Sequence, residues 1–440
     1  MSIFGALLTG LSGYYLSGFF LTKSAGALMR VSLSAAFGMG AAALAEFWLL
    51  VMGATDQRAL LAAQIGVVLL AWGLSERRIA SKNAWLRMIF LVAALWASSF
   101  VCEQLIRALH PYPHGSGLDV WSIWKFKARI LFRDTAGWKG IFSPEFGFSH
   151  RDYPLLYPLT ILAGWLWQGS EVLETGAFLS SFVTASCLLL SYSLYGKTGR
   201  TKGWLSALLL LSTPHFIGMG ASQYADIIVA YYLLAAGAMV IRGVSGGSAA
   251  EAAAAGFFAG CAAFTKNEGL LFLAVAGAAY LILGKKRDAF LAGALPWIIT
   301  VAAFKIIAHS PSEYFHAENI ERLSTAPELW HRSHQILSTW ADEFRSESNW
   351  AWSWFFIAGT AVFRLPALRT KPWRAGLVLI TGMLAGYFGI YLLTPEDLPV
   401  VVPNSFSRLL LQIFPLSVYW AMSEWASPFP QRSPTASRIT

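Results

Sequence analysis

Charge is what this sequence has least of. Of its 440 residues only 13% are Asp, Glu, Lys or Arg, while 56% are hydrophobic. A soluble domain carries about 25% charged residues. That shortage excludes an ordinary water-soluble enzyme and makes a polytopic membrane protein the class to expect. Cysteine is scarce too. Cys102, Cys187 and Cys261 each sit in an apolar run with no CxxC spacing, which argues against a disulfide framework or zinc site and for small buried hydrophobes. No Walker loop, Rossmann GxGxxG or GxSxG motif is present, so nothing advertises a nucleotide. The N-terminal run MSIFGALLTGLSGYYLSGFFLT lacks a basic n-region and a small-residue cleavage site; it reads as a retained first span rather than a signal peptide. No 20–50-residue repeat is visible.

Present instead are apolar runs of span length, recurring almost to the end: 3–22, 31–53, 58–74, 86–106, 172–195, 203–220, 225–242, 250–265, 268–284, 288–308, 349–364, 375–393 and 406–426. About thirteen spans of an all-α transmembrane bundle are expected, the short ones tilted or broken. They form one integral-membrane domain, 1–426, followed by a Ser/Pro-rich tail at 427–440 that reads as disordered and cytoplasmic. The net charge of +9 fits positive-inside topology and attraction to anionic lipid, not nucleic acid. The Lys/Arg-rich links Glu76-Arg77-Arg78 to Arg87, Lys197 to Lys202, Lys285-Lys286-Arg287 and Arg364 to Arg374 belong in the cytoplasm. The span count then closes only if the short helix after Tyr157 stays in the outer interface without crossing. A large loop at 107–171, carrying juxtamembrane helices, faces outward with Gln223–Asp226, Thr265–Glu268, the loop at 309–348 and the link at 394–405.

Polar residues stand out against this background. The stretch 118–158 is the longest polar interruption before mid-chain. It holds Asp119 and Asp152, the cations Lys125, Lys127, Arg129, Arg133 and Arg151, the pair Trp121 and Trp124, and the run Tyr153-Pro154-Leu155-Leu156-Tyr157-Pro158. An ionised Asp costs about 2.5–3.5 kcal/mol at mid-bilayer and less at the interface. Lys125, Lys127 or a substrate would offset that cost for Asp119. The same residue suits the N-cap of a helix at 120–132, and the two readings are compatible because a cap holds a carboxylate still. Asp226 opens a span, as a cap or as a site acid. Asp152 is a second site carboxylate or the ion-pair partner of Arg151. Lys266-Asn267-Glu268 is a plain hairpin or a contact to substrate or to the large loop. Arg408 enters the last span and either snorkels or meets an anion; lipid phosphate is the natural one, because guanidinium forks onto phosphate oxygens. His331 and His334 form HxxH, but without an HExxH pattern they read as loop histidines, and no metal ligand is assigned. Trp165, Trp167, Trp350, Trp352 and Trp354 read as an interfacial belt rather than a sugar platform.

Taken in order, these features resemble the GT-C superfamily of integral-membrane glycosyltransferases, nearest the branch of protein O-mannosyltransferases and bacterial aminoarabinose (lipid A) transferases. The resemblance rests on an acid opening the first large outer loop (Asp119, in DVWSIWKFKA) and on Asp152-Tyr153-Pro154 in that loop. It rests also on Tyr224-Ala225-Asp226 opening a later span, on Phe264-Thr265-Lys266-Asn267-Glu268-Gly269-Leu270 and on Arg408 with Leu409-Leu410-Leu411-Gln412 and Pro415. It covers roughly 86–426.

The resemblance implies a polyprenyl-phosphate-linked sugar as donor and a lipid, glycan or protein hydroxyl or amine as acceptor. The reaction would invert the anomeric centre, in the outer leaflet of a bacterial inner membrane. In that scheme Asp119 is the general base, assisted by Asp152, and Lys127, Arg151 and Arg408 hold the donor phosphate. Asp226, Tyr153, Lys266, Glu268 and Trp121 bind the acceptor or support the site. No cofactor is required where cations suffice, although a divalent metal is compatible. Two other classes fit the composition: a polysaccharide ligase or polymerase using diphosphate-linked lipid donors, and a transporter or lipid flippase, which would place ionisable residues near the midplane and show an inverted repeat.

Overall fold

Apolar surroundings leave the backbone only its own hydrogen bonds, which favours helices. In the computed structural model, which describes residues 2–21, 26–79, 84–196, 199–309, 314 and 316–423, no strand occurs among the described residues. The first helices are α1 (Ser2–Phe20), α2 (Ala27–Ser32), α3 (Ser34–Val51), α4 (Gln57–Ile79) and α5 (Ala84–Leu109). A π-helical turn, Val120–Lys125, runs into α6 (Phe126–Arg133), followed by α7 (Leu156–Gln168), α8 (Glu174–Ser193), α9 (Arg200–Leu211) and α10 (Pro214–Ser222). The middle holds α11 (Asp226–Val244), α12 (Ala249–Ala263), α13 (Asn267–Leu283) and α14 (Arg287–Ala308). The remainder is α15 (Ala317–Arg322), α16 (Ala326–Arg345), α17 (Glu347–Trp350), α18 (Ser353–Phe363), α19 (Lys371–Leu393) and α20 (Leu398–Ser423).

Among the described residues, eight helices are long and apolar enough to cross a membrane, and α9 with α10, bent by 70° at the break, would make a ninth. These helices fit a multi-pass integral membrane protein. Each of the thirteen expected spans falls on a helix or helix pair. The helices α12, α13 and α18 are apolar but shorter, and α20, although 26 residues long, carries Arg408 and Gln412. The tail at 427–440 and Lys197 lie outside the described residues.

The bundle is built around α11, whose span is 94% buried, whereas that of α5 at the periphery is 6% buried. Around α11 pack α8, α12, α13, α19 and α20. The helix α7 departs from expectation. Its length of 13 residues suits a segment that does not cross, yet Leu156 to Leu166 are all buried, against α1, α3, α6 and α8. It is enclosed by protein and does not lie on the lipid surface. The belt reading of the tryptophans needs the same correction. Trp165, Trp350 and Trp354 are buried, and only Trp352 of the four on which burial is decisive is exposed. Trp165 donates its indole N–H to the Val172 carbonyl at 2.7 Å. The acid Glu46 lies deep among the helices. Glu46 of α3 accepts from Gln64 of α4 at 2.8 Å, and Gln64 in turn accepts from the Trp167 indole, so a polar relay joins α3, α4 and α7.

Candidate functional site

Four separate stretches bring charge to one place. The first is the loop ahead of the π-helical turn. Ser116 donates to the Ser222 carbonyl at 2.7 Å, and the Gln223 amide donates to the Tyr112 carbonyl. Gly117 lies so close to Tyr224 that an added Cβ would come within 2.2 Å of its hydroxyl. These contacts dock the loop on the α10–α11 link and set Asp119 beside the start of α11. The second is that start itself, Asp226, at the positive end of a helix dipole. The third is the α12–α13 hairpin, where Lys266 is extended (φ −149°, ψ 161°). At Gly269 a Cβ would stand 1.8 Å from the Ala262 carbonyl oxygen, so only glycine lets the two helices cross this tightly. The fourth is Arg408, in α20 between Pro403 and Pro415.

The resulting array alternates in sign: Asp119, Arg408, Asp226, Lys266, Glu268. Arg408 Nη2 lies 2.8 Å from Asp119 Oδ2 and 3.0 Å from Asp226 Oδ2, and Arg408 Nε is 3.2 Å from the same Asp226 oxygen. Lys266 Nζ is 3.0 Å from Asp226 Oδ1 and 2.9 Å from Glu268 Oε1. Gln412 completes the shell of Asp226, donating to Oδ1 at 2.8 Å. Burial is graded along the array. The side chain of Asp226 is 0% exposed and that of Lys266 3%, while Arg408 is 24% and Asp119 28% exposed. Buried charges need such pairing, since an unpaired one costs several kcal/mol.

Aromatic rings wall the array. Arg408 sits 4.7 Å from the Tyr224 ring centroid and Lys266 5.5 Å from that of Tyr153. Tyr153 stacks between Trp124 at 5.7 Å and His150 at 4.9 Å. Burial, with the Glu268 carboxylate next in effect, holds the Tyr153 phenol well above its usual range, so it stays neutral. The four acids and two cations assigned from sequence as Asp119, Asp152, Asp226, Glu268, Arg408 and Lys266 therefore share one neighbourhood. Asp152 joins through Asn267, whose amide donates to its carboxylate, and Lys305 bonds both the Asp152 carbonyl and Asn267 Oδ1 at 2.8 Å. The polar hairpin thus contacts the large loop.

Several finer expectations change. Asp119 makes no side-chain cap bond; its carboxylate turns to Arg408, which offsets its charge in place of Lys125 and Lys127. Asp226 is held by side chains of the α12–α13 link and α20, beyond any capping role. Arg408 does not snorkel but sits between two acids. Arg151 donates to the Phe142 carbonyl at 3.1 Å instead of pairing with Asp152. Lys127 Nζ is committed to the carbonyls of His150 at 2.7 Å and Tyr153 at 2.9 Å. Lys125 likewise serves those of His114 and Leu173, at 2.7 and 3.0 Å, and lies 4.8 Å from the Trp121 ring centroid. Of the three cations expected on a phosphate, Arg408 alone stands in the acidic array. Both histidines of the HxxH pattern are exposed on α16, and among the described residues no three His, Cys, Asp or Glu side chains come together as a metal site.

Burial pushes Lys125 and Lys127 down to about 7 from 10.5, the shift of Lys127 being opposed by Asp152. A neutral amine keeps two N–H donors, enough for the two carbonyls that each lysine holds. The unfolded chain stays protonated up to about 10.4, so between pH 7 and 10 it binds more protons than the folded chain. Stability therefore rises with pH in that window and is lost below it. Each lysine is expected to contribute up to about 1 kcal/mol per pH unit. Melting temperatures from pH 7 to 9.5 should climb more steeply for the wild type than for Lys127→Met; parallel curves would refute the assignment.

The sequence reading left out Gln412, Asn267, Lys305 and Tyr224 as site residues. Gln412 was signalled by its i,i+4 spacing from Arg408, which puts both on one helix face. Lys305 is a lone cation near the end of an apolar helix. The partnership of Asn267 with Asp152 spans 115 positions and has no local signal. No family model, no curated protein and no solved structure matches this chain.

Proposed function

We propose that the protein is an integral-membrane glycosyltransferase of GT-C type that moves a sugar from a polyprenyl-phosphate donor to an acceptor hydroxyl or amine, with inversion. The observation that carries this reading is the array itself. A partly exposed acid and a partly exposed arginine lie side by side, backed by a buried acid, a buried lysine and a glutamine that fix the arginine. The basic links support reading the array at the outer face of a bacterial inner membrane, where a lipid-linked donor would arrive by lateral diffusion.

In this reading Arg408 stabilises the charge that grows on the leaving phosphate, a role worth about 10²–10³ in rate. Lys266 adds positive potential from behind. Asp119 takes the proton of the acceptor nucleophile, worth about 10²–10⁴. Attack opposite the phosphate inverts the anomeric carbon. Asp226 is a positioning residue that aims Arg408. Asp119, Asp226, Lys266 and Glu268 lie at helix starts, which favours this over the transporter reading with its mid-span charges; Arg408, inside α20, is drawn to them.

Purified protein with a labelled polyprenyl-phosphate sugar should release lipid phosphate. Asp119→Asn is expected to lower that turnover by about 10²–10⁴ while leaving the melting temperature nearly unchanged. Full turnover in a folded Asp119→Asn protein would remove Asp119 from the base role.

A further inference from the structure

The array poses a problem for an anionic ligand. Asp119, Asp226 and Glu268 outnumber Arg408 and Lys266, so a phosphate approaching it meets more negative than positive charge. Something must yield, and the geometry decides which member does. Asp226 is fully enclosed and bonded by Lys266, Arg408 and Gln412. Glu268 lies at the far end, tied to the buried Lys266. Asp119 is the most exposed of the three, its Oδ2 2.8 Å from Arg408 Nη2. Arg408 Nε and the other side of Nη2 face Asp226, and among the described residues no hydrogen bond to Nη1 is seen.

We infer that Asp119 is a placeholder on Arg408, which a phosphate oxygen of the donor displaces. This rests on the glycosyltransferase reading and adds an order of events to it. Before the donor binds, the Asp119 carboxylate is held on Arg408 and is not free to take a proton from an acceptor. A phosphate oxygen then takes Nη2, a second oxygen takes Nη1, and Asp119 swings free beside the sugar. The acceptor O–H or N–H passes its proton to Asp119 as its oxygen or nitrogen bonds to the anomeric carbon. The carbon–oxygen bond to phosphate breaks and its electron pair stays on the phosphate, which leaves with Arg408. Asp119, now protonated, returns its proton to water, and its carboxylate closes on Arg408 again as the lipid phosphate departs. Donor binding thus arms the base, and the acceptor reacts second. An ion pair of this exposure weakens a competitor by a factor of up to about five, small enough for a phosphate to overcome.

The test measures binding to the full-length protein in nanodiscs, using undecaprenyl phosphate as one probe and inorganic phosphate as the other. Asp119→Asn should bind the lipid phosphate at least about threefold more tightly than the wild type while losing turnover, because the competitor is gone. Asp119→Ser, a second variant without a carboxylate, should tighten binding in the same direction. Arg408→Lys, with no fork, should weaken it. Unchanged or weaker binding in both Asp119 variants would overturn the exchange while leaving the transferase reading intact. Tightening for inorganic phosphate equal to that for the lipid, with no gain from the prenyl chain, would keep the exchange and overturn the lipid-linked donor. Absence of binding by either probe to any of the proteins would overturn both.

Discussion

If the protein is a transferase as proposed, Arg408→Ala should cut transfer by about 10²–10³ and also loosen the protein. The guanidinium joins Asp119 to Asp226, and on the transferase reading its loss removes the cation proposed to meet the leaving phosphate, costing about 10²–10³ in turnover. The stability cost has a separate origin. Asp226 is fully buried and would keep only Lys266 and Gln412 as side-chain partners. Breaking a buried pair costs about 3–5 kcal/mol, and the partial exposure of Arg408 puts this case near the lower end. Arg408→Lys should recover most of the stability, because an ammonium still neutralises Asp226, but little of the rate, because a point charge does not fork onto two phosphate oxygens. Turnover and thermal denaturation of both variants separate the two effects. A stable, fully active Arg408→Ala would remove the phosphate-binding role altogether.

Asp226→Ala should be the most destabilising single change in the site. It strands Lys266, whose side chain is 3% exposed, with Glu268 as its remaining ion-pair partner, and leaves Arg408 with Asp119 alone. The two cations then share a neighbourhood with the acid between them gone. A loss of about 3–5 kcal/mol is expected, with a lower yield of folded protein. Asp226→Asn keeps the shape and one acceptor oxygen but not the charge, so its loss should be smaller, and its turnover should fall because Arg408 is no longer aimed. Detergent-solubilised thermal shift, read against the yield of monodisperse protein, checks the ranking. Equal stability of Asp226→Ala and the wild type would show that the array is not coupled.

Much of the helical plan was legible because each apolar run has one economical structure in lipid. The runs at 250–265, 268–284 and 349–364 became helices of 15, 17 and 11 residues, below the length taken for a span. Most residues of α12 are enclosed by neighbours, so burial in protein rather than bilayer thickness sets its length. Asp119, Asp226, Lys266 and Arg408 were legible for a related reason. A lone charge next to an apolar run is expensive and marks a site or a partner. Their pairing was not, because Asp226 and Arg408 are 182 positions apart and periodicity reports only neighbours on one helix. Lys127 and Arg151 looked like free cations because carbonyl partners leave no trace in side-chain identity. Glu46 escaped attention altogether, since its partner Gln64 lies on the next helix inside a run that reads as purely apolar.

The two carbonyl-bound lysines bear on how such chains are read for topology. Lys125 and Lys127 lie in a loop assigned to the outer face, where an excess of positive letters counts against export. Burial lowers both amines to about 7 in the folded loop, so they hold less positive charge at neutral pH than free lysines. The folded segment is then less cationic than its spelling suggests, whereas during insertion, before it folds, both lysines carry full charge and count toward the cytoplasm.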